Sequence, residues 1–210
     1  MTAAKNIFLI GSGGLGHEIA HHLKNCPEFI FSGFYDDDPA TAEKSGKWYM
    51  GKINLLEKTG GKSDSGYLIS IGSPFIKKKI ADRLKNAGLS YATFISDYAH
   101  LADKVSIEIG EGSIITPGCQ LTCDIIVGKK VLINLNSTIG HDVKIGDYSS
   151  LMPGCHISGN VKIDEEVLVG TGAIILPNLS IGKGAVIGAG AVVTRDVEEG
   201  KVVKGIPGRG

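Results

Sequence analysis

The chain has 210 residues, of which 42% are hydrophobic, and carries 22 basic against 22 acidic side chains. Such a length suits one large or two small domains whose core needs no disulfide staples. Zero formal charge gives no electrostatic reason for nucleic acid or an anionic membrane as partner, and no apolar run reaches the 18 or so residues of a membrane-spanning helix.

The first 98 residues alternate short apolar runs with helical patterns. Ile7–Ile10 reads as a strand: it is too short for the apolar stretch of a signal peptide and ends in glycines. An amphipathic segment follows from Leu15 to Leu23, then a second apolar run over Phe29–Tyr35, stopped by Asp36-Asp37-Asp38-Pro39. Tyr67–Ile71 is a third run, and Ser73-Pro74 opens a helix expected to reach Ala87, closed by Gly88. Strands alternating with helices argue for βαβ units and a parallel sheet, so residues 1–98 are expected to form a half-Rossmann α/β lobe.

Residues 99–210 follow a different rule. Starting at Ile109 and stepping by six to Val193, all fifteen positions are Ile, Leu or Val. A helix requires a period of 3.6 and a simple strand a period of two, so neither explains six. The pattern fits a coil of three short faces, 18 residues per turn, with the aliphatic column stacked inside. Such a coil is too narrow for rings, and of 13 aromatic residues only Tyr148 lies beyond Tyr98. The 30 glycines, roughly twice the average usage, are expected at the corners of the coil and in a phosphate loop. Cys119 and Cys155 lie two coils apart, roughly 10 Å at the spacing of stacked strands, which is too far for a disulfide. They read as core fillers, and with no C-x-x-C pair among the four cysteines a reduced, cytoplasmic protein is expected.

Two stretches carry chemistry. Gly11-Ser12-Gly13-Gly14-Leu15-Gly16 satisfies G-x-G-x-x-G between a strand and a helix, and Asp36 follows 20 residues later. Glycines let a backbone approach phosphate, a helix N-terminus attracts it, and the acid suits a ribose. In the hexad Ile139-Gly140-His141-Asp142-Val143-Lys144, the histidine and aspartate fall at an outward corner. An imidazole there suits proton transfer, and an adjacent carboxylate can hold its tautomer. Gly159 is 18 residues on, the same corner one coil up, where its N–H is a candidate oxyanion donor. His17-Glu18-Ile19-Ala20-His21 matches the zinc-protease pattern H-E-x-x-H, but both histidines lie off the apolar stripe and no third ligand is apparent, so no metal is expected. Lys77-Lys78-Lys79 reads as a solvated helix face.

The hexad repeat resembles the hexapeptide transferases, whose repeats form a left-handed parallel β-helix. The stretches Asn134–Asp142 and Ser158-Gly159-Asn160-Val161 are similar to bacterial nucleotide-sugar acetyltransferases of the bacillosamine, perosamine and sialic-acid-modifying type. That resemblance implies His141 as general base, Asp142 as its orienting acid and Gly159 as oxyanion donor, with acetyl-CoA as acetyl donor. It carries Gly11, Gly13, Gly14, Gly16, Asp36, Asp37 and Gly72 over to nucleotide-sugar binding. It also places Gly159, Lys204 and Arg209 near coenzyme A, within a closing Lys204-Gly205-Ile206-Pro207-Gly208-Arg209 whose Gly208 replaces the family's Ala. Where many relatives carry a second histidine, nine residues after the base, this chain has Ser150. The implied assembly is a homotrimer with the cofactor between neighbouring β-helices. The implied reaction is N-acetylation of a nucleotide-linked 4-amino-4,6-dideoxy sugar for surface glycans. O-acetylation of a sialic-acid-like sugar and a non-enzymatic β-helix scaffold are the alternatives.

Overall fold

The computed structural model describes residues 4–210. Residues up to Gly72 together with Ile76–Ala92 form one compact unit, and Ser73–Phe75 with Thr93–Gly210 form the other.

In the first unit, β1 (Lys5–Ile10), β2 (Phe29–Tyr35), β3 (Tyr49–Gly51) and β4 (Ser65–Ile69) make a parallel sheet in the order β3-β2-β1-β4. Strands covered on both faces need apolar residues throughout rather than in alternation. Ile7, Phe8, Leu9 and Ile10 are accordingly all buried. Helix α1 (Gly14–Lys24) sets Ile19, Ala20 and Leu23 into the core, and α4 (Pro74–Arg83) ends before the expected Ala87. Between Pro39 and Gly60 the chain adds α2 (Pro39–Ser45), β3 and α3 (Ile53–Thr59), none of which the apolar pattern announces. The α2 signal is chemical instead: Asp38 caps it through Oδ1 on the Ala40 N–H at 3.0 Å, with Pro39 at the first turn.

One surface expectation fails here. Lys77 is 1% exposed, because it falls on the same buried stripe of α4 as Ile80 and Ala81, continued by Leu84 just past the helix end. Burial pushes its amine down to about 7. His17 is only partly exposed, its ring packed 4.9 Å from that of Phe34, while His21 is exposed. The two histidines of the H-E-x-x-H match therefore do not share one exposed face.

The second unit is a left-handed parallel β-helix. Its two- and three-residue strands stack into three parallel sheets of five, seven and six strands. Residues 18 apart pair in register, as in Ile133↔Leu151, Ile139↔Ile157 and Ile145↔Ile163. Each turn of the coil thus takes three hexads. From Ile115 to Val193, every member of the aliphatic column is at most 2% exposed. Cys119 and Cys155 are wholly buried free thiols within that column's layer.

The corners obey a rule different from the expected one. Every sixth residue from Gly112 to Gly190 has positive φ, yet that series includes Asp124, Lys130, Asn136, Asp142, Tyr148 and Glu166. Asn and Asp tolerate the left-handed region well, and the registered stack imposes it on the bulkier residues. The glycines that follow the aliphatic column serve closeness instead. A Cβ on Gly146 would stand 2.5 Å from the Asp164 carbonyl carbon in the next coil, and one on Gly140 2.7 Å from the Gly159 nitrogen.

Candidate active site

The stacked coils fix the His141 corner. Ile139 and Val143, at most 1% exposed, anchor the hexad inward. Successive side chains on a strand point to opposite faces. The left-handed backbone at Asp142, φ 60°, breaks that alternation and turns its carboxylate onto the preceding ring. His141 Nδ1 lies 2.7 Å from Asp142 Oδ2, with both side chains more than half exposed. A carboxylate only accepts hydrogen bonds, so Nδ1 carries a proton and the neutral ring presents its lone pair at Nε2.

That lone pair faces the next coil. A Cβ on Gly159 would stand 2.5 Å from His141 Nε2 and 2.6 Å from Cε1, so the imidazole lies across the bare backbone of Gly159. Gly159 has no positive φ; what its position demands is room for the ring. The coils are locked on either side by Asn160 N–H to His141 O at 2.8 Å and Asn178 N–H to Gly159 O at 3.1 Å. Among the described residues the Gly159 N–H has no acceptor, whereas the Gly140 N–H is taken by Ile157 O at 2.8 Å. A proton acceptor and an open backbone donor thus stand on adjacent coils, the pairing that acyl transfer needs.

The surrounding positions divide. Ser150 is wholly buried, on a strand in register with Leu132, and presents no titrating group in place of the relatives' second histidine. His156 is exposed, with Nδ1 2.9 Å from Thr138 Oγ1 on the neighbouring strand. Lys204 and Arg209 are both exposed and pair through their backbones, N to O at 2.9 and 2.8 Å, closing a terminal turn. Gly208 within that turn is tightly held: a Cβ there would meet Val203 Cγ1 at 2.8 Å, which explains its replacing Ala.

In the first unit the Gly-rich loop is anchored at its stem and open at its tip. Gly11, φ 109°, gives its N–H to Tyr35 O at 2.9 Å and accepts Ser70 Oγ at 2.7 Å. A side chain on Gly16 would collide with the Gly11 carbonyl, so this glycine sets the helix against the loop. Gly13 and Gly14 have nothing within 4 Å of an added Cβ. Gly13 caps α1 without a side-chain hydrogen bond, and no acidic residue sits in the first turn to satisfy its N–H groups. Gly72 lies three residues past the end of β4 and is partly exposed.

Asp36 and Asp37, expected as a pair, do different things. Asp36 Oδ2 accepts both the Ser12 N–H at 2.6 Å and Ser12 Oγ at 3.0 Å, and Oδ1 accepts the Asp38 N–H at 2.9 Å. Burial alone would raise its pKa, but the hydrogen bonds from Asp38, Ser12 and Thr41 hold it below the ordinary carboxylate value. Asp37 instead accepts the Ile53 N–H at 2.9 Å and Arg83 Nη1 at 2.8 Å, while Arg83 Nε binds Glu57 at 2.7 Å. The sequence gives no sign of this Arg83 link, because its partners lie 26 and 46 residues away.

Known proteins share this fold. The family model of the PglD N-terminal domain matches residues 6–84, and that of the bacterial transferase hexapeptide repeats matches residues 160–195. WeeI from Acinetobacter baumannii is 30% identical, with a TM-score of 0.85 over 97% of this chain and 98% of its own. The acetyltransferase domain of PglB from Neisseria gonorrhoeae, solved with acetyl coenzyme A, is 26% identical with a TM-score of 0.89, over 98% of both chains. PerB from Caulobacter crescentus, solved with CoA and GDP-perosamine, is 26% identical with a TM-score of 0.87, over 97% of this chain and 96% of its own.

Proposed function

We propose that this chain, which belongs to the hexapeptide-repeat acetyltransferases with a PglD-type N-terminal domain, moves an acetyl group from acetyl-CoA to the amine of a nucleotide-linked amino sugar. The observation that carries the reading is the His141 ring, oriented by Asp142 at 2.7 Å and laid across Gly159. The open Gly159 N–H is the donor that a thioester carbonyl requires, so the residues fit the donor. Acetyl-CoA supplies an acyl group already activated as a thioester. His141 Nε2 takes the proton that the sugar amine loses as its nitrogen bonds to the carbonyl carbon. Asp142 holds the Nδ1 proton and stabilises the resulting imidazolium. The Gly159 N–H donates to the carbonyl oxygen as negative charge gathers there. As the carbon–sulfur bond breaks, the imidazolium returns its proton to the departing thiolate, leaving an amide and free CoA. No residue of the chain needs to be acylated.

Gly13, Gly14 and the first turn of α1 hold the diphosphate of the sugar nucleotide, Gly72 flanks it and Asp36 faces the nucleoside. Lys204 and Arg209 meet coenzyme A phosphates near the end of the solenoid. The working assembly is a homotrimer, supported by apolar side chains such as Ile126 and Leu176 that a single chain leaves 42% and 38% exposed. The four free cysteines support a cytoplasmic setting. Among the described residues no helix is long and apolar enough to cross a membrane.

The test is a panel of UDP-, dTDP- and GDP-linked 4-amino sugars incubated with acetyl-CoA, with products read by mass spectrometry. Acetylation of at least one amine, absent when a hydroxyl replaces it, supports the reading. Transfer only to hydroxyl-bearing sugars, or to none, overturns it.

A further inference from the structure

The Gly-rich loop has three anchors, and they are not equivalent. Gly11 N–H to Tyr35 O and Ser70 Oγ to Gly11 O fix its stem to the sheet. Among the described residues Ser12 alone links the loop to the aspartate run after β2, giving its N–H at 2.6 Å and its hydroxyl at 3.0 Å to one oxygen, Asp36 Oδ2. Ser12 is wholly buried, so its hydroxyl is directed to this carboxylate rather than to water. Its next two neighbours, Gly13 and Gly14, are the open ones. Asp37 is not a second copy of Asp36, since Ile53 and Arg83 occupy it within the fold. One serine therefore links the Asp36 carboxylate to the open backbone of Gly13 and Gly14.

We propose that Ser12 is a positioning residue that couples Asp36 to the Gly13–Gly14 backbone, so that nucleoside and diphosphate are recognised as one unit. This rests on the nucleotide-sugar reading above. Two donors on one oxygen fix the direction of the carboxylate, and because one donor is the loop's own amide, whatever orients Asp36 also orients the loop. A hydrogen bond to a charged acceptor is among the stronger kinds, enough to change affinity roughly ten-fold.

Isothermal calorimetry with UDP, dTDP and GDP on the wild-type chain, Ser12→Ala, Asp36→Asn and the double variant tests this, alongside steady-state kinetics. The expected result for Ser12→Ala is roughly ten-fold weaker binding of the preferred nucleotide and a matching rise in KM for the sugar nucleotide. Its kcat and its KM for acetyl-CoA should stay within about two-fold, which a general loss of structure would not allow. Asp36→Asn should cost less in the Ser12→Ala background, which keeps the 2.6 Å amide donor and loses the hydroxyl, than in the wild type, the mark of one coupled unit. Wild-type affinity in Ser12→Ala, or an Asp36→Asn cost that is the same in both backgrounds, overturns the coupling. If the wild-type chain binds none of the three nucleotides, the nucleotide-sugar reading falls and the coupling with it.

Discussion

The imidazole of His141 lies across the backbone of Gly159 so closely that a Cβ on residue 159 would stand 2.5 Å from Nε2. These residues are one full coil apart, and their contact depends on an 18-residue register that holds through the solenoid. The base and the donor for the developing charge are thereby fixed by stacking.

Gly159→Ala tests that contact directly. Gly159 has no positive φ, so alanine is allowed by the backbone, and the His141 ring is exposed enough to swing away. The expected outcome is a kcat lower by roughly 10²-fold or more with thermal stability nearly unchanged. Turnover and melting temperature measured on one preparation check it. A large stability loss with unchanged kcat per folded molecule would count against the role given to the ring.

Asp142→Asn isolates the tautomer. Asparagine tolerates the left-handed backbone at this corner, so the fold is kept. Its amide nitrogen can donate to Nδ1, which drives the ring proton to Nε2 and removes the lone pair. The expected loss in kcat is roughly two to four orders of magnitude, with KM for both substrates little altered. Asp142→Ala, which adds backbone strain, should lose stability as well as activity.

Burial of Cys155 predicts an inert thiol. Its pKa is pushed up to about 12, chiefly by desolvation, although its backbone neighbours pull the other way. A group that stays protonated in the fold stabilises it below the unfolded pKa of 9.0, and the gain is lost as pH rises toward about 12. In the native chain at pH 8, a thiol reagent should leave Cys119 and Cys155 untouched and reach the partly exposed Cys123. Fast labelling of Cys155, read by peptide mass spectrometry, would contradict the packed column.

Lys77 predicts the opposite slope at a lower pH. Desolvation lowers its amine from 10.5 to about 7. Between those values the unfolded chain holds a proton that the fold does not, so stability rises with pH across this window and is flat below it. Lys77→Met should flatten urea midpoints between pH 7 and 10 relative to the wild type. An unchanged slope would show that another group sets the dependence.

The six-residue period made the solenoid legible, because an inward column must repeat wherever identical coils stack. The catalytic corner was legible for the same reason: once the coil length is 18, His141 and Gly159 fall together by counting. The glycine rule was misread, since sequence does not distinguish a residue needing positive φ from one needing closeness. Tyr148 and Glu166 occupy left-handed corners, while Gly140 and Gly146 do not. In the α/β lobe, β1 and β2 followed from continuous apolar runs and α1 from its amphipathic spacing, whereas α2 rests on local capping by Asp38 and α3 receives its first N–H partner from Asp37, 16 residues away. The division of labour between Asp36 and Asp37 arises from Ser12 and Arg83, tertiary partners that spacing alone does not reveal.

The most direct measurement is steady-state acetyl transfer by His141→Asn with acetyl-CoA and a nucleotide-linked amino sugar, compared with the wild type. If Nε2 of His141 is the proton acceptor, kcat falls by roughly 10²–10⁴-fold while KM for both substrates stays within about two-fold. Near-normal turnover by His141→Asn would contradict the account.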